Sequence, residues 1–277
     1  YFFSLMTESY SYKAFLFNKI RTVLIPYIVI SIPAVMVFLM KLKVNHPWID
    51  IEWFYNDLNM VEQYFYLMLT GAHLGTLWFI PMVLLFYLLS PVFIIINNNG
   101  LLVVVFCASL AFAFYLGRPF ANDNALLSFV YFLPTYLFGM FLVDKPILYN
   151  CLRKHTWLIF IFFISFLYYF EVSIGINSSH DLLFKMAFTL ILFAFLKRYA
   201  NYKINWLDMF ARLSFFLYLI HGYFIWALYR LYRLGDFPFH GLLTAIGFFV
   251  GIIFISLAIF VAIKLLLKKH SKLLIGV

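Results

Sequence analysis

Leu213-Ser-Phe-Phe-Leu-Tyr-Leu-Ile-His221-Gly-Tyr-Phe-Ile-Trp-Ala-Leu-Tyr229 is a run of 17 residues without Lys, Arg, Asp or Glu. At ~1.5 Å per residue a helix of that length reaches about 25 Å, close to the roughly 30 Å of a bilayer core. His221 is the ninth of the 17, so a spanning helix sets it near the midplane. An ionisable group is expensive there and marks function by default. The remainder of the chain therefore has to supply helices that shelter this imidazole.

The composition agrees. The 277 residues are 66% hydrophobic and 11% charged, with mean hydropathy +0.98, whereas soluble domains carry ~25% charged residues. The expected fold class is all-α: a polytopic membrane bundle of about eight transmembrane helices, forming a single domain over residues 1–277. By hydropathy the spans fall at 22–40, 76–96, 101–117, 126–143, 156–170, 182–196, 213–229 and 242–263. Pro33, Pro81, Pro91, Pro134, Gly139, Gly247 and Gly251 lie inside them. Such breakers are tolerated where neighbouring helices re-satisfy the freed backbone groups. Gly247 and Gly251 also have GxxxG spacing, a weak sign of close helix packing. Tyr1–Tyr12 lacks the pattern of a cleaved signal peptide.

The net charge of +9 is unevenly placed, and its placement argues for membrane orientation rather than for nucleic acid. With the N-terminal segment on the inside, alternate loops put fourteen cations and three acids on that side, against five cations and eight acids opposite. The positive-inside rule then places both ends in the cytoplasm. The longest outer segment, 41–75, holds Trp48, Trp53 and Tyr55 with four acids and reads as an amphipathic, interface-lying piece or as a lid. Cys107 and Cys151 are far apart in sequence, so neither a disulfide framework nor a thiolate metal site is expected. No paired carboxylates fall within spans, and neither a phosphate-cradling P-loop nor HExxH is present.

Candidate chemistry gathers at three places. Lys19 and Arg21 precede Pro26, which is expected in the first turn of a helix, where a missing N–H costs least. The pair can grip a phosphorylated ligand; the simpler reading is a topology signal drawn to anionic headgroups. His73, between Gly71 and Gly75, either lines a cavity mouth or is merely solvated. Ser214, Tyr218 and His221 share one helix face at i, i+4 and i+7. There the imidazole is either an acid/base or substrate-holding group or a buried His bonded to a neighbouring span. Asp208 and Arg212 precede it on the same segment. Lys185 can snorkel to an interface, and Arg230 with Arg233 forms an outer basic pair.

Four stretches stand in an order that resembles the acyltransferase family 3 membrane proteins: Lys19-Ile-Arg-Thr-Val-Leu-Ile-Pro-Tyr27, Leu77-Trp-Phe-Ile-Pro-Met-Val-Leu-Leu85, Tyr136-Leu-Phe-Gly-Met140 and Ser214-Phe-Phe-Leu-Tyr-Leu-Ile-His221. The resemblance implies a ten-helix fold with cytoplasmic ends, of which this chain lacks the first two helices, and a catalytic histidine in the first of those. It implies acyl-CoA as co-substrate with no bound cofactor, and a surface glycan or lipid-linked sugar as acceptor, in a bacterial inner membrane. Lys19 and Arg21 would meet the CoA phosphates, although Lys19 is followed three residues later by Thr22 and Arg21 is out of the family's register. His221 would support the catalytic histidine, with Ser214 and His73 as further candidates. The rival expectations are a transporter or flippase for a glycan intermediate, with aromatic-rich spans stacking on sugars, and an inactive fragment.

Overall fold

The computed structural model describes residues 10–119, 124–144, 157, 159, 161, 163–164, 180–199, 205–234 and 242–267. Helices dominate, with no strand among the described residues. They form two compact units, one from Tyr1–Tyr12 and Leu85–Ile204, the other from Lys13–Leu84 and Asn205–Val277.

The second unit begins with α1 (Tyr12–Lys19), a π turn (Ile20–Leu24) and α2 (Ile25–Leu39). Pro26 does fall in the first turn of α2, but the helical run starts fourteen residues earlier, at Tyr12. The π turn is the physical consequence of Pro26. A proline donates no N–H and its ring crowds the carbonyl four residues back, here that of Thr22. Widening to a longer bond relieves the clash, and Ile25 N–H accordingly reaches Ile20 O. Thr22 also turns its hydroxyl back onto Asn18 O at 2.8 Å.

The segment that follows is more ordered than a loop. α3 (Ile51–Asn56) is capped by Asp50, which accepts from Glu52 N and Trp53 N at 3.0 and 3.2 Å. α4 (Met60–Thr70) starts in a capping box, with Asn59 and Glu62 satisfying each other's backbone N–H groups. Such caps contribute about 1 kcal/mol each, so three of the segment's polar groups have local structural work. Phe54 and Leu67 are fully buried against Val35 and Phe38 of α2, while Phe65 and Leu69 remain exposed. One buried and one exposed apolar face suits an interface-lying piece.

The chain then passes through a Gly71–Gly75 turn and a 3₁₀ turn (Thr76–Trp78) into α5 (Phe79–Leu88). α10 (Asn205–Leu234) and α11 (Leu242–Leu267) complete this unit, joined in part by Phe216 and Phe260, whose rings lie 5.7 Å apart. A Cβ at Gly247 or Gly251 would meet nothing within 4 Å among the described residues.

The first unit contains α6 (Ser90–Asn98), α7 (Leu102–Leu116), α8 (Ala125–Asp144) and α9 (His180–Tyr199). Ala113, Tyr131, Leu182 and Met186 form its buried centre. Phe86 packs on Phe129 and Tyr136 at 4.5 and 4.6 Å. Aromatic pairs of this kind contribute about 0.5–1.5 kcal/mol beyond their area.

Tyr12–Leu39, Ala125–Leu142 and Ile246–Leu266 are long and apolar enough to cross a membrane, and Thr76–Leu88 with Ser90–Asn98 makes a further pair bent by 52°. Leu102–Leu116, Leu182–Leu196 and Leu213–Leu228 are shorter apolar helices. Each expected span therefore meets a helix except 156–170, most of which lies outside the described residues. The chain is an all-α membrane protein.

Candidate functional site

The polar groups of the second unit converge where α2, the Gly71–Gly75 turn and α10 meet. The convergence starts from an unsatisfied helix end. The last carbonyls of α4 have no intrahelical partner. Gly71, in the left-handed region at φ +68°, folds its N–H back onto Leu67 O at 2.9 Å. Tyr27 of α2 donates its hydroxyl to Met68 O at 2.8 Å. His73 then brings its ring against the same end, with Nδ1 3.0 Å from Leu67 O.

That contact fixes the tautomer. A carbonyl can only accept, so Nδ1 carries the hydrogen and Nε2 offers a lone pair. Ser31 Oγ of α2 lies 2.8 Å from Nε2, so the Ser31 hydroxyl donates to His73. The pair has the polarity of a base and its nucleophile, but it is closed off: Ser31 is wholly buried and His73 is 6% exposed. It ties α2 to the turn. His73 therefore neither lines an open mouth nor is solvated, because its ring is enclosed with both nitrogens bonded, to Leu67 O and Ser31 Oγ.

Burial also holds His73 down from 6.5 to about 4, against a partial counter-effect of the Leu67 carbonyl. His46, in the neighbouring loop, is held at about 4 by burial and then by Lys43, partly offset by the Ala72 carbonyl. Its ring donates to Ala72 O and accepts from Trp48 N. Both values lie below that of an unfolded histidine, so stability is full above pH ~6.5 and drains as pH falls towards ~4. For buried His73 the shift corresponds to about 3 kcal/mol at ~1.36 kcal/mol per unit; half-exposed His46 contributes less. Thermal unfolding of the detergent-solubilised protein should show this loss between pH 7 and 4.5. His73→Gln should flatten the curve, and an unchanged slope would place the acid sensitivity elsewhere.

α10 is fixed to the other two elements. Tyr218 donates its hydroxyl to Thr76 O at 2.6 Å, and its ring lies 5.8 Å from Phe79. Gly222 lies so close to the turn that a Cβ there would sit 2.5 Å from Thr76 Oγ1 and 2.9 Å from Leu74 Cγ. Tyr223 reaches α2 beside Pro33. Its hydroxyl donates to Ile30 O at 2.6 Å and accepts from Ala34 N at 3.3 Å. Those two backbone groups are four apart and would ordinarily pair within the helix.

His221 sits half-buried on α10. Nδ1 faces the carbonyls of Tyr218 and Leu217 at 2.6 and 3.2 Å, so it must be the donor. In the neutral ring Nε2 is then an acceptor, and no described residue bonds it. The two sequence candidates thus differ chemically. His73 has both nitrogens engaged and is enclosed, whereas His221 is locked at one nitrogen and unbonded at the other among the described residues.

The remaining candidates lie apart from these contacts. Ser214 is exposed and its hydroxyl returns to Ala211 O on its own helix at 2.8 Å. Lys19, at the end of α1, has its ammonium 5.5 Å from the Phe15 ring centroid. Arg21 is exposed in the π turn. The side chains of Asp208 and Arg212 lie outside the described residues. The described residues hold no cluster of His, Cys, Asp or Glu that could bind a metal ion. Ser31, Tyr27 and Tyr223 were not singled out by sequence. The available signal was Pro33, since a proline inside a helix obliges other groups to complete the ladder.

No curated protein and no solved structure matches the chain. The family model described as an acyltransferase domain, that of acyltransferase family 3, matches residues 1–264. That is nearly the whole length, and with the helical fold it makes the chain a membrane acyltransferase: it belongs to acyltransferase family 3.

Proposed function

We propose that the protein transfers an acyl group, acetyl in the simplest case, from acyl-CoA to a hydroxyl of a cell-surface polysaccharide or of its lipid-linked precursor. The observation that carries this reading is His221 Nε2, which no described residue bonds, presented on a helix that Tyr218 and Tyr223 tie to the turn and to α2. Acyl transfer to a hydroxyl needs a group that takes its proton as the oxygen attacks. The acceptor oxygen attacks the thioester carbonyl carbon while its proton passes to His221 Nε2, which in this way supports the catalytic histidine that the resemblance implies in the family's first helix. The carbon–sulfur bond breaks, the proton ends on the departing sulfur, and the products are an ester and free CoA thiol. Lys19 and Arg21 supply positive charge for the CoA phosphates, Arg21 as a fork and Lys19 as a point charge. The family resemblance suggests a bacterial inner membrane, and the loop charges favour both visible ends in the cytoplasm, the side on which acyl-CoA is found.

The test uses the full-length protein in its membrane with radiolabelled acetyl-CoA. Label is expected in the polysaccharide fraction, and a deletion strain is expected to lose glycan acetylation. Absence of label from every glycan, with acetylation unchanged in the deletion strain, would remove the reading. Glycan accumulating inside that strain with its acetylation intact would point instead to transport.

A further inference from the structure

Tyr223 occupies an unusual position for a tyrosine on a neighbouring helix. Pro33 has no N–H for Val29 O, and its ring crowds the preceding turn. The next ladder step is Ile30 O with Ala34 N, and the Tyr223 hydroxyl spans it, donating to the first at 2.6 Å and accepting from the second at 3.3 Å. A side chain entering the ladder beside a proline is a recognised way to accommodate the break. Here the side chain comes from α10, so repairing α2 also fixes α10. Ser31 lies within the same turn and is held by His73.

The arrangement bears on His221 through helix geometry. Tyr223 and His221 are two residues apart, so they leave α10 on faces roughly 160° apart at ~100° per residue. Tyr218 and Gly222 hold a further face against Thr76 and Leu74. A helix gripped on two sides has its rotation and depth set, and so has whatever the remaining face carries. That face carries His221, whose ring is itself braced on the Tyr218 carbonyl.

We propose that Tyr223 is a positioning residue for acyl transfer: by spanning the Pro33 step of α2 it sets the rotation of α10 and holds His221 Nε2 at the acceptor hydroxyl. This rests on the role given to His221 above. A hydroxyl that only patched α2 would matter to stability alone. A hydroxyl that places His221 matters to the chemical step as well, because a shift of about 1 Å can cost up to ~10²-fold in rate.

The experiment compares Tyr223→Phe, Tyr223→Phe with Pro33→Ala, and His221→Gln in the full-length membrane protein, with radiolabelled acetyl-CoA as donor. Tyr223→Phe keeps the ring and removes the hydroxyl. Its kcat should fall by at least ~10-fold, with KM for acetyl-CoA little changed, and its Tm should drop. Pro33→Ala restores an N–H at position 33 and lets the α2 ladder close, so the double variant should regain Tm but not kcat. Recovery of both would show the hydroxyl to be a patch for Pro33 and overturn the proposal. So would an unchanged kcat in Tyr223→Phe while His221→Gln is impaired. If His221→Gln itself keeps the wild-type kcat, the reading beneath the proposal fails, whatever Tyr223→Phe does.

Discussion

In His221→Gln, acyl transfer falls by about 10²–10⁴-fold, the range contributed by a positioned acid/base group, while the melting temperature hardly moves. The two parts of this expectation have separate causes. The fold uses only one side of the imidazole, where Nδ1–H bonds the Tyr218 carbonyl at 2.6 Å. Glutamine keeps an N–H donor of similar reach, so the structural loss is at most that of an ordinary hydrogen bond, about 0.5–1.5 kcal/mol. The other side, Nε2, forms no hydrogen bond with a described residue, so losing its basic lone pair breaks no tie among them. The glutamine amide cannot accept a proton at working pH, so the chemical step loses its proton acceptor. The check is label transfer from radiolabelled acetyl-CoA beside thermal unfolding of the same preparation. A variant that loses Tm and rate together would assign His221 to packing. One that keeps its rate would move the proton acceptor to another residue.

The comparison with His73 explains why this distinction was not available from sequence. Both histidines lie beside glycine in apolar surroundings, and spacing alone left each with two readings. Which nitrogen is free depends on which carbonyl the ring meets, and that is a tertiary fact. His73 meets the end of α4, where Leu67 O takes a second donor beside the Gly71 N–H; His221 meets its own helix. The helices themselves were legible, because 17 uncharged residues in a row have few alternatives to spanning. Their ends were less so. Hydropathy began the first span at residue 22, whereas the helix runs from Tyr12 through a π turn, since a polar helical extension gives no apolar signal. The acids at Asp50 and Glu62 were visible as an acidic outer segment, but their use as caps depends on where α3 and α4 begin. Pro33 announced that backbone groups would need outside partners. It did not announce that the partner would be Tyr223, 190 positions later in the chain, because nothing in local pattern links the two.

Gly71→Ala is expected to be strongly destabilising for the addition of a single methyl group. Two costs coincide. The residue sits at φ +68°, where an L side chain costs roughly 1–2 kcal/mol. A Cβ there would also lie 2.6 Å from Leu77 C and Trp78 N and 2.7 Å from Leu77 O. These are backbone atoms, which cannot swing aside as a flexible side chain can, so the turn itself must move. Overpacking of this kind adds about 1–3 kcal/mol, for a total of about 2–5 kcal/mol. The damage is also placed where it spreads. Moving Leu77 and Trp78 displaces Thr76 O, the acceptor for Tyr218, and moving Gly71 disturbs the end of α4 on which His73 is seated. All three elements of the site lose a tie from one substitution. Gly100→Ala is the control, because Gly100 has the same φ of +68° and a Cβ there would meet nothing within 4 Å among the described residues; it carries the backbone cost alone, about 1–2 kcal/mol. Thermal unfolding in detergent should place Gly71→Ala about 2–12 °C below Gly100→Ala, with less protein recovered in monodisperse form. If the two variants melt together, the turn yields easily, and the contacts among α2, the turn and α10 do not hold the site as a single frame.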